Sequence, residues 1–135
     1  MKIKYLVKHV TSRELISLDL NKNSKQAVEL MLANDIGSVI VTEYEKPVGI
    51  VTDRDVLKRG GLLQGKNFSV GTYMSTPLIT IDVDAPIGEA AEVMEEKDIR
   101  RLIVVENEEI VGIVTQKDLL KGTFEAFNFI RLLGM

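Results

Sequence analysis

Two short stretches carry the residues best suited to chemistry, and they are nearly the same stretch. Residues 49–55 read GIVTDRD and residues 112–118 read GIVTQKD. Each places a threonine three residues before an aspartate, with a glycine three residues before the threonine. A basic residue stands inside each motif, Arg54 in the first and Lys117 in the second. Two readings are open. Thr52 with Asp55, and Thr115 with Asp118, can form capping boxes in which the threonine accepts from a first-turn N–H and the aspartate reaches back while complementing the helix dipole. The same geometry also suits a ligand. A capped helix start offers N–H donors and partial positive charge to a phosphate. An aspartate one turn in can accept two hydrogen bonds from a ribose diol. Gly49 or Gly112 allows close approach to the strand backbone.

The second motif has the stronger basic surroundings. Arg100 and Arg101 precede its central strand, where the first copy has Gly37 and Ser38. If anions bind, the pocket that uses Arg100, Arg101 and Lys117 is expected to be the stronger, since the first copy offers only Arg54.

The elements that position these residues are themselves repeated. Gly49 and Gly112 stand 63 positions apart, and that shift works along the chain without a gap. AVELMLANDI (27–36) falls on AAEVMEEKDI (90–99), and VIVTEYEKPVGIVTDRDVLK (39–58) on LIVVENEEIVGIVTQKDLLK (102–121). A match of this length means two copies of one supersecondary unit. Each copy reads β-α-β-β-α. A short extended piece, LIS (15–17) or LIT (78–80), comes first. A helix follows, with Ala27, Val28, Leu30 and Met31 at helical spacing in one copy and Ala90, Ala91, Val93 and Met94 in the other. Asp84 is its expected N-cap in copy two, with Pro86 in the first turn. SVIVT (38–42) and RLIVV (101–105) are β-branched runs, EYEK and ENEE polar turns, and PVGIV (47–51) and IVGIV (110–114) second strands. A second helix starts at Thr52 or Thr115. The expected fold is mixed α/β (α+β), with two three-stranded sheets packed sheet to sheet about a pseudo-twofold axis, because one such unit leaves a sheet face uncovered. The expected boundaries are 5–60 for the first repeat, 61–69 for the connector, 70–122 for the second repeat and 123–135 for a helical tail.

Composition excludes several classes. The chain has 135 residues and a net charge of −3, so no overall basic field is present to hold nucleic acid or an anionic membrane. It has no cysteine, which removes disulfides, thiolate nucleophiles and zinc–thiolate sites. His9 is the only histidine, so a metal site is not expected. Ser24, Ser38 and Ser75 show no base–orienter pattern for a nucleophile. No apolar run approaches the length of about 18 needed to span a membrane, and MKIKYLVKHV does not resemble a signal peptide. Cytoplasmic location is therefore the expectation.

In these residues the chain resembles a tandem pair of CBS domains, often called a Bateman module. The resemblance covers about residues 5–122 and rests on the ordered helix, strand pair and Gly-h-h-Thr-x-x-Asp in both copies. It implies two clefts between the repeats that bind adenosine nucleotides or related ligands such as S-adenosylmethionine. It implies that Asp55 and Asp118 hold ribose hydroxyls, with Thr52 and Thr115 near ribose or phosphate, and that Arg100 and Arg101 meet phosphates. The adenine is implied to sit against the entry to the first helix of the other repeat. One cleft would then combine Lys22 and Ala27 with Arg100, Arg101, Thr115, Lys117 and Asp118. The other would combine Ala85 and Ala90 with Gly37, Ser38, Thr52, Arg54 and Asp55. The chain departs from the family at the threonine that often precedes the helix proline: Lys22 stands there in copy one, with Asn23 for the proline, and Ala85 in copy two.

The resemblance further implies a regulatory, non-catalytic module without a catalytic cofactor, paired into a homodimer and reporting to an enzyme or transporter. A ligand-free interaction scaffold is the alternative. The tail TFEAFNFIRLLGM holds Phe124, Phe127 and Phe129, and reads as an amphipathic helix that either folds back on its own chain or meets a partner.

Overall fold

A computed structural model describes residues 5–59 and 68–134. The connector expected at 61–69 lies mostly outside the described residues, with only Phe68 and Ser69 inside them. The described chain contains β1 (Ser17–Asp19), α1 (Ser24–Asn34), β2 (Ser38–Glu43), β3 (Lys46–Thr52), α2 (Asp53–Arg59), β4 (Thr80–Asp82), α3 (Ile87–Lys97), β5 (Arg101–Glu106), β6 (Glu109–Thr115) and α4 (Gln116–Leu132). These form the expected β-α-β-β-α order twice, in two three-stranded sheets.

In each sheet the first strand runs parallel to the second and the second antiparallel to the third. β2 and β3 are joined by a two-residue turn, since Glu43 pairs with Lys46. Its central residues, Tyr44 and Glu45, have φ of 50° and 64°, and Asn107 and Glu108 repeat this at 52° and 67°. A tight hairpin turn matched to the strand twist demands such angles, and here they are adopted without glycine. A bulge follows in both hairpins, between Val41 and Thr42 and between Val104 and Val105.

The short first strands begin two residues later than LIS and LIT suggest. Their extent is set by their partners: Ser17–Asp19 lies against Ile40–Thr42, and Thr80–Asp82 against Ile103–Val105. Asp84 is not the cap of α3. The N-cap position is Pro86, and the helix begins at Ile87. The approach to the helix is held by backbone pairing instead, with the Ile87 N–H donating to the Tyr5 carbonyl at 2.8 Å. The Asp84 carboxylate meets Lys8 at 3.0 Å on the exposed surface.

The chain divides into two compact units, and these do not coincide with the sequence repeats. One is Leu15–Leu78; the other joins the described residues up to Glu14 to those from Ile79 onward. Each unit therefore takes its lead segment from the other repeat. In the second unit, Val7 and Lys8 donate to the carbonyls of Ala85 and Val83 at 2.8 and 2.9 Å, and Ser12 pairs with Ile113 in β6. In the first, Val70 and Gly71 donate to Lys22 and Leu20 at 2.7 and 2.9 Å, and Ser75 pairs with Ile50 in β3.

Each unit has its own apolar core. One gathers Leu18, Ala27, Met31, Val39, Val41, Val51, Val56 and Val70 with Tyr73. The other gathers Val7, Ile81, Val83, Ile87, Ala90, Met94, Leu102, Val104, Val114 and Leu119. Alternate residues of the central strands, Val39 and Val41 or Leu102 and Val104, turn to these cores as the pleat requires. Tyr73 is the polar exception. Its hydroxyl lies 2.6 Å from that of the buried Ser24. The counterparts in the other repeat are Val10 and Ile87, so this pair is specific to one unit.

The tail does not form a separate element. α4 runs unbroken from Gln116 to Leu132, and Phe124 and Phe127 lie on its exposed side. Folding back onto the chain would have buried them.

Candidate functional site

Both Thr-x-x-Asp motifs form the capping box that their spacing allows. In copy two, the Asp118 N–H donates to Thr115 Oγ1 at 3.2 Å, and the Thr115 N–H donates to Asp118 Oδ2 at 2.9 Å. In copy one, the Asp55 N–H donates to Thr52 Oγ1 at 3.1 Å, and the Thr52 N–H to Asp55 Oδ2 at 3.0 Å. Each aspartate is thus bound to its own helix start, as the capping reading requires.

The two sites differ in what remains. Asp55 is buried and also accepts from the Ser75 hydroxyl, at 3.3 Å to Oδ1 and 3.2 Å to Oδ2. Asp118 is half-buried, and its Oδ1 has no hydrogen-bond donor among the described residues. The first-turn amides differ too. The Asp53 N–H donates to the Gly37 carbonyl at 2.9 Å, and the Gln116 N–H to the Arg100 carbonyl at 2.8 Å. The next amide, Arg54, donates to the Asp53 carboxylate at 2.8 Å. Its counterpart Lys117, where no carboxylate precedes, has no acceptor among the described residues.

The basic residues separate. Arg101 pairs with Thr115 across β5 and β6 and is half-buried, so it stands beside the Asp118 motif. Lys117 and Arg54 are exposed on the first turns of their helices. Arg100 lines a groove of about 920 Å³ between α3 and α4, with Ile87, Met94, Ile99, Gln116 and Leu119. Arg101 thus lies in register with Thr115, which caps the helix that carries Lys117 and Asp118, while Arg100 lines the groove on the helix side.

The residues expected against adenine are mostly core. Ala27 and Ala90 have no exposed surface and Ala85 has 8 %, because the inner faces of α1 and α3 pack onto their sheets. They have little or no surface to offer a ligand. Lys22 is exposed, one residue before Asn23. Asn23 takes the place of the usual proline as a cap: its side chain accepts from the Gln26 N–H at 2.9 Å, and the Asn23 N–H donates to Gln26 Oε1 at 3.0 Å. Ser38 is buried and pairs with Thr52.

The glycines of the motif do permit a close approach, but by the chain itself. A side chain at Gly112 would meet the Ser12 carbonyl at 2.5 Å, and one at Gly49 would meet Met74 Sδ at 2.7 Å and the Ser75 carbonyl at 3.0 Å. Sequence reasoning missed Ser75 and Asp53 as site residues. Asp53 was legible as a charge at the first position of α2. Ser75 was not, since the repeat sets it opposite another serine, Ser12.

Comparison with known proteins agrees with this architecture. The family model described as CBS domain matches residues 7–61 and 70–124. The chain belongs to the CBS domain family and carries two copies in tandem. It is 38% identical over 130 residues to the uncharacterized protein MJ1404 of Methanocaldococcus jannaschii, covering 85% of this chain but only 31% of that protein. It therefore spans about a third of that relative's length. A crystal structure of an uncharacterized conserved protein from Pyrococcus horikoshii matches with a TM-score of 0.81 at 30% identity, over 91% of this chain and 95% of that one. The CBS domain pair of protein MJ0100, solved in complex with 5′-methylthioadenosine and S-adenosyl-L-methionine, matches with a TM-score of 0.76 at 29% identity, over 86% of this chain and 93% of that one.

Proposed function

We propose that the chain is a regulatory module that binds an adenosine-type ligand, of the AMP, ADP, ATP or S-adenosylmethionine class, and passes its occupancy to a partner protein. The observation that carries this is the open Oδ1 of Asp118 beside the open amide of Lys117. One can accept from a ribose diol, and the other can donate to an anionic oxygen. The Lys117 side chain adds positive charge there, and Arg101 stands on the adjoining strand. Thr115 fixes the start of α4, so these groups are held in place before any ligand arrives. The adenosine ligands held by the CBS pair of MJ0100 support the ligand class.

Regulation follows from differential affinity. A ligand that prefers one arrangement of the protein shifts the population towards it, and a partner that reads that arrangement responds. The partner is an enzyme or transporter. A second copy of the chain covers the α3–α4 face, where the groove and the exposed Phe124 and Phe127 leave apolar surface. Calorimetric titration with AMP, ATP and S-adenosylmethionine tests the reading. Heat with at least one of them is expected, and no heat with any would sink it.

One observation favours a ligand-free scaffold instead: both aspartates already serve their own helices. On that reading, replacing Asp118 lowers stability and leaves every nucleotide response unchanged.

A further inference from the structure

We infer that this chain takes one adenosine ligand and not two, at the Asp118 motif, and that Ser75 and Asp53 close the Asp55 motif. The inference rests on the ligand class proposed above and assigns its stoichiometry and the residues that set it. A carboxylate can hold a ribose diol only with lone pairs that nothing else has claimed. Asp55 is 7 % exposed, and it accepts from two donors: the Thr52 N–H at Oδ2, and the Ser75 hydroxyl, whose oxygen lies 3.3 and 3.2 Å from Oδ1 and Oδ2, so neither oxygen is without a neighbouring donor. Displacing Ser75 would leave the buried Asp55 carboxylate to be satisfied anew, at a cost that a diol must first make good. Asp118 receives one side-chain-to-backbone bond, from Thr115, and keeps its second oxygen.

Ser12 shows that the difference is not in the backbone. It forms the same antiparallel bridge to Ile113 that Ser75 forms to Ile50. Its side chain is exposed, and Asp118 accepts no bond from it. Asp53 adds a second bar. Its carboxylate accepts from the Arg54 N–H, the amide whose counterpart at Lys117 is open in copy two. Copy two has the neutral Gln116 in place of Asp53.

The experiment is calorimetry with whichever of AMP, ATP and S-adenosylmethionine gives heat with the unaltered chain. One equivalent per chain is expected. Asp118→Asn, which keeps an oxygen for the Thr115 N–H, weakens binding about tenfold or more, as loss of a hydrogen bond to a charged group predicts. Lys117→Glu, on an exposed residue that the fold does not need, weakens it as well and covers the case where Asp118→Asn does not fold. Asp55→Asn leaves the stoichiometry and Kd unchanged. The double variant Asp53→Gln with Ser75→Ala gains a second equivalent. Two equivalents in the unaltered chain, loss of binding in Asp55→Asn, or no second equivalent in the double variant overturns the inference while the ligand class stands. No heat with any of the three overturns both.

Discussion

The Gly112 backbone lies against the Ser12 carbonyl so closely that a β-carbon would come within 2.5 Å of that oxygen. Ser12 and Ile113 exchange backbone hydrogen bonds at 3.0 and 2.9 Å beside it, so the contact joins the lead segment to the edge of β6. Neither backbone can yield without breaking this bridge. Gly112→Ala should therefore destabilise the chain by about 1–3 kcal/mol, the usual cost of forcing extra atoms into a packed site. Gly49→Ala should cost less, since its nearest neighbour is the flexible Met74 side chain. Urea unfolding of the two variants checks the order, and an equal or reversed loss would refute the argument.

The capping boxes make a second prediction. Asp118→Ala removes the acceptor for the Thr115 N–H, and Thr115→Ala removes the acceptor for the Asp118 N–H. Each should cost about 1 kcal/mol, as loss of an N-terminal cap does. Asp118→Ala should also abolish the nucleotide heat; Thr115→Ala should weaken it by loosening the start of α4. Thermal unfolding alongside calorimetry separates the two readouts. A stability loss in Asp118→Ala with unchanged nucleotide heat would favour the scaffold.

Much of this arrangement was legible in the letters. The gapless repeat gave two β-α-β-β-α units because hydrophobic period and β-branched runs are local properties, and both survive in the sheets and helices found. The capping boxes were legible for the same reason, since a helix start is built within four residues. Four features were not. The positive φ of Tyr44 and Glu45 carries no glycine signal. The exchange of lead segments depends on which sheet edge a segment meets, and two near-identical copies give no local clue to that. The closing of Asp55 depends on where a serine hydroxyl points, while the repeat aligns Ser75 with Ser12 as equals. Arg100 and Arg101 are adjacent in sequence, but only Arg101 lies in the strand register beside Thr115.

The Tyr73–Ser24 pair gives a pH prediction. Burial pushes the Tyr73 phenol above its ordinary value of 10.0; the hydrogen bond with Ser24 opposes this, and the Asp55 charge adds to it. The folded state thus favours the protonated phenol more than the unfolded chain does. The resulting stability is fully present below pH 10 and is lost as pH rises through the folded-state value. Tyr73→Phe should remove that alkaline loss and lower stability at neutral pH by about 1 kcal/mol. The neutral-pH cost stays modest because Ser24 keeps the Phe68 carbonyl as an acceptor at 3.3 Å. Unfolding free energies measured from pH 7 to 11 for both proteins test this, and parallel curves would count against it.

The exposed face of α4 gives the last prediction. Leu120 is 71 % exposed and Phe124 and Phe127 each 65 %, on a helix whose opposite side packs into the core through Leu119. Aromatic side chains of this size bury about 150–250 Å² each when covered, which makes them the main source of association energy on this surface. The adjoining groove between α3 and α4 is apolar along Ile87, Ala91, Met94 and Leu120 and is open to receive them. A second copy covering this face would bury both features together. Sedimentation should then find a dimer, and Phe124→Glu with Phe127→Glu should convert it to a monomer, because charged groups would have to enter an apolar contact unpaired. Helix content by circular dichroism should remain unchanged, since both positions are exposed in the single chain. A monomeric unaltered protein, or a dimer that survives both substitutions, would remove this face as the site of pairing.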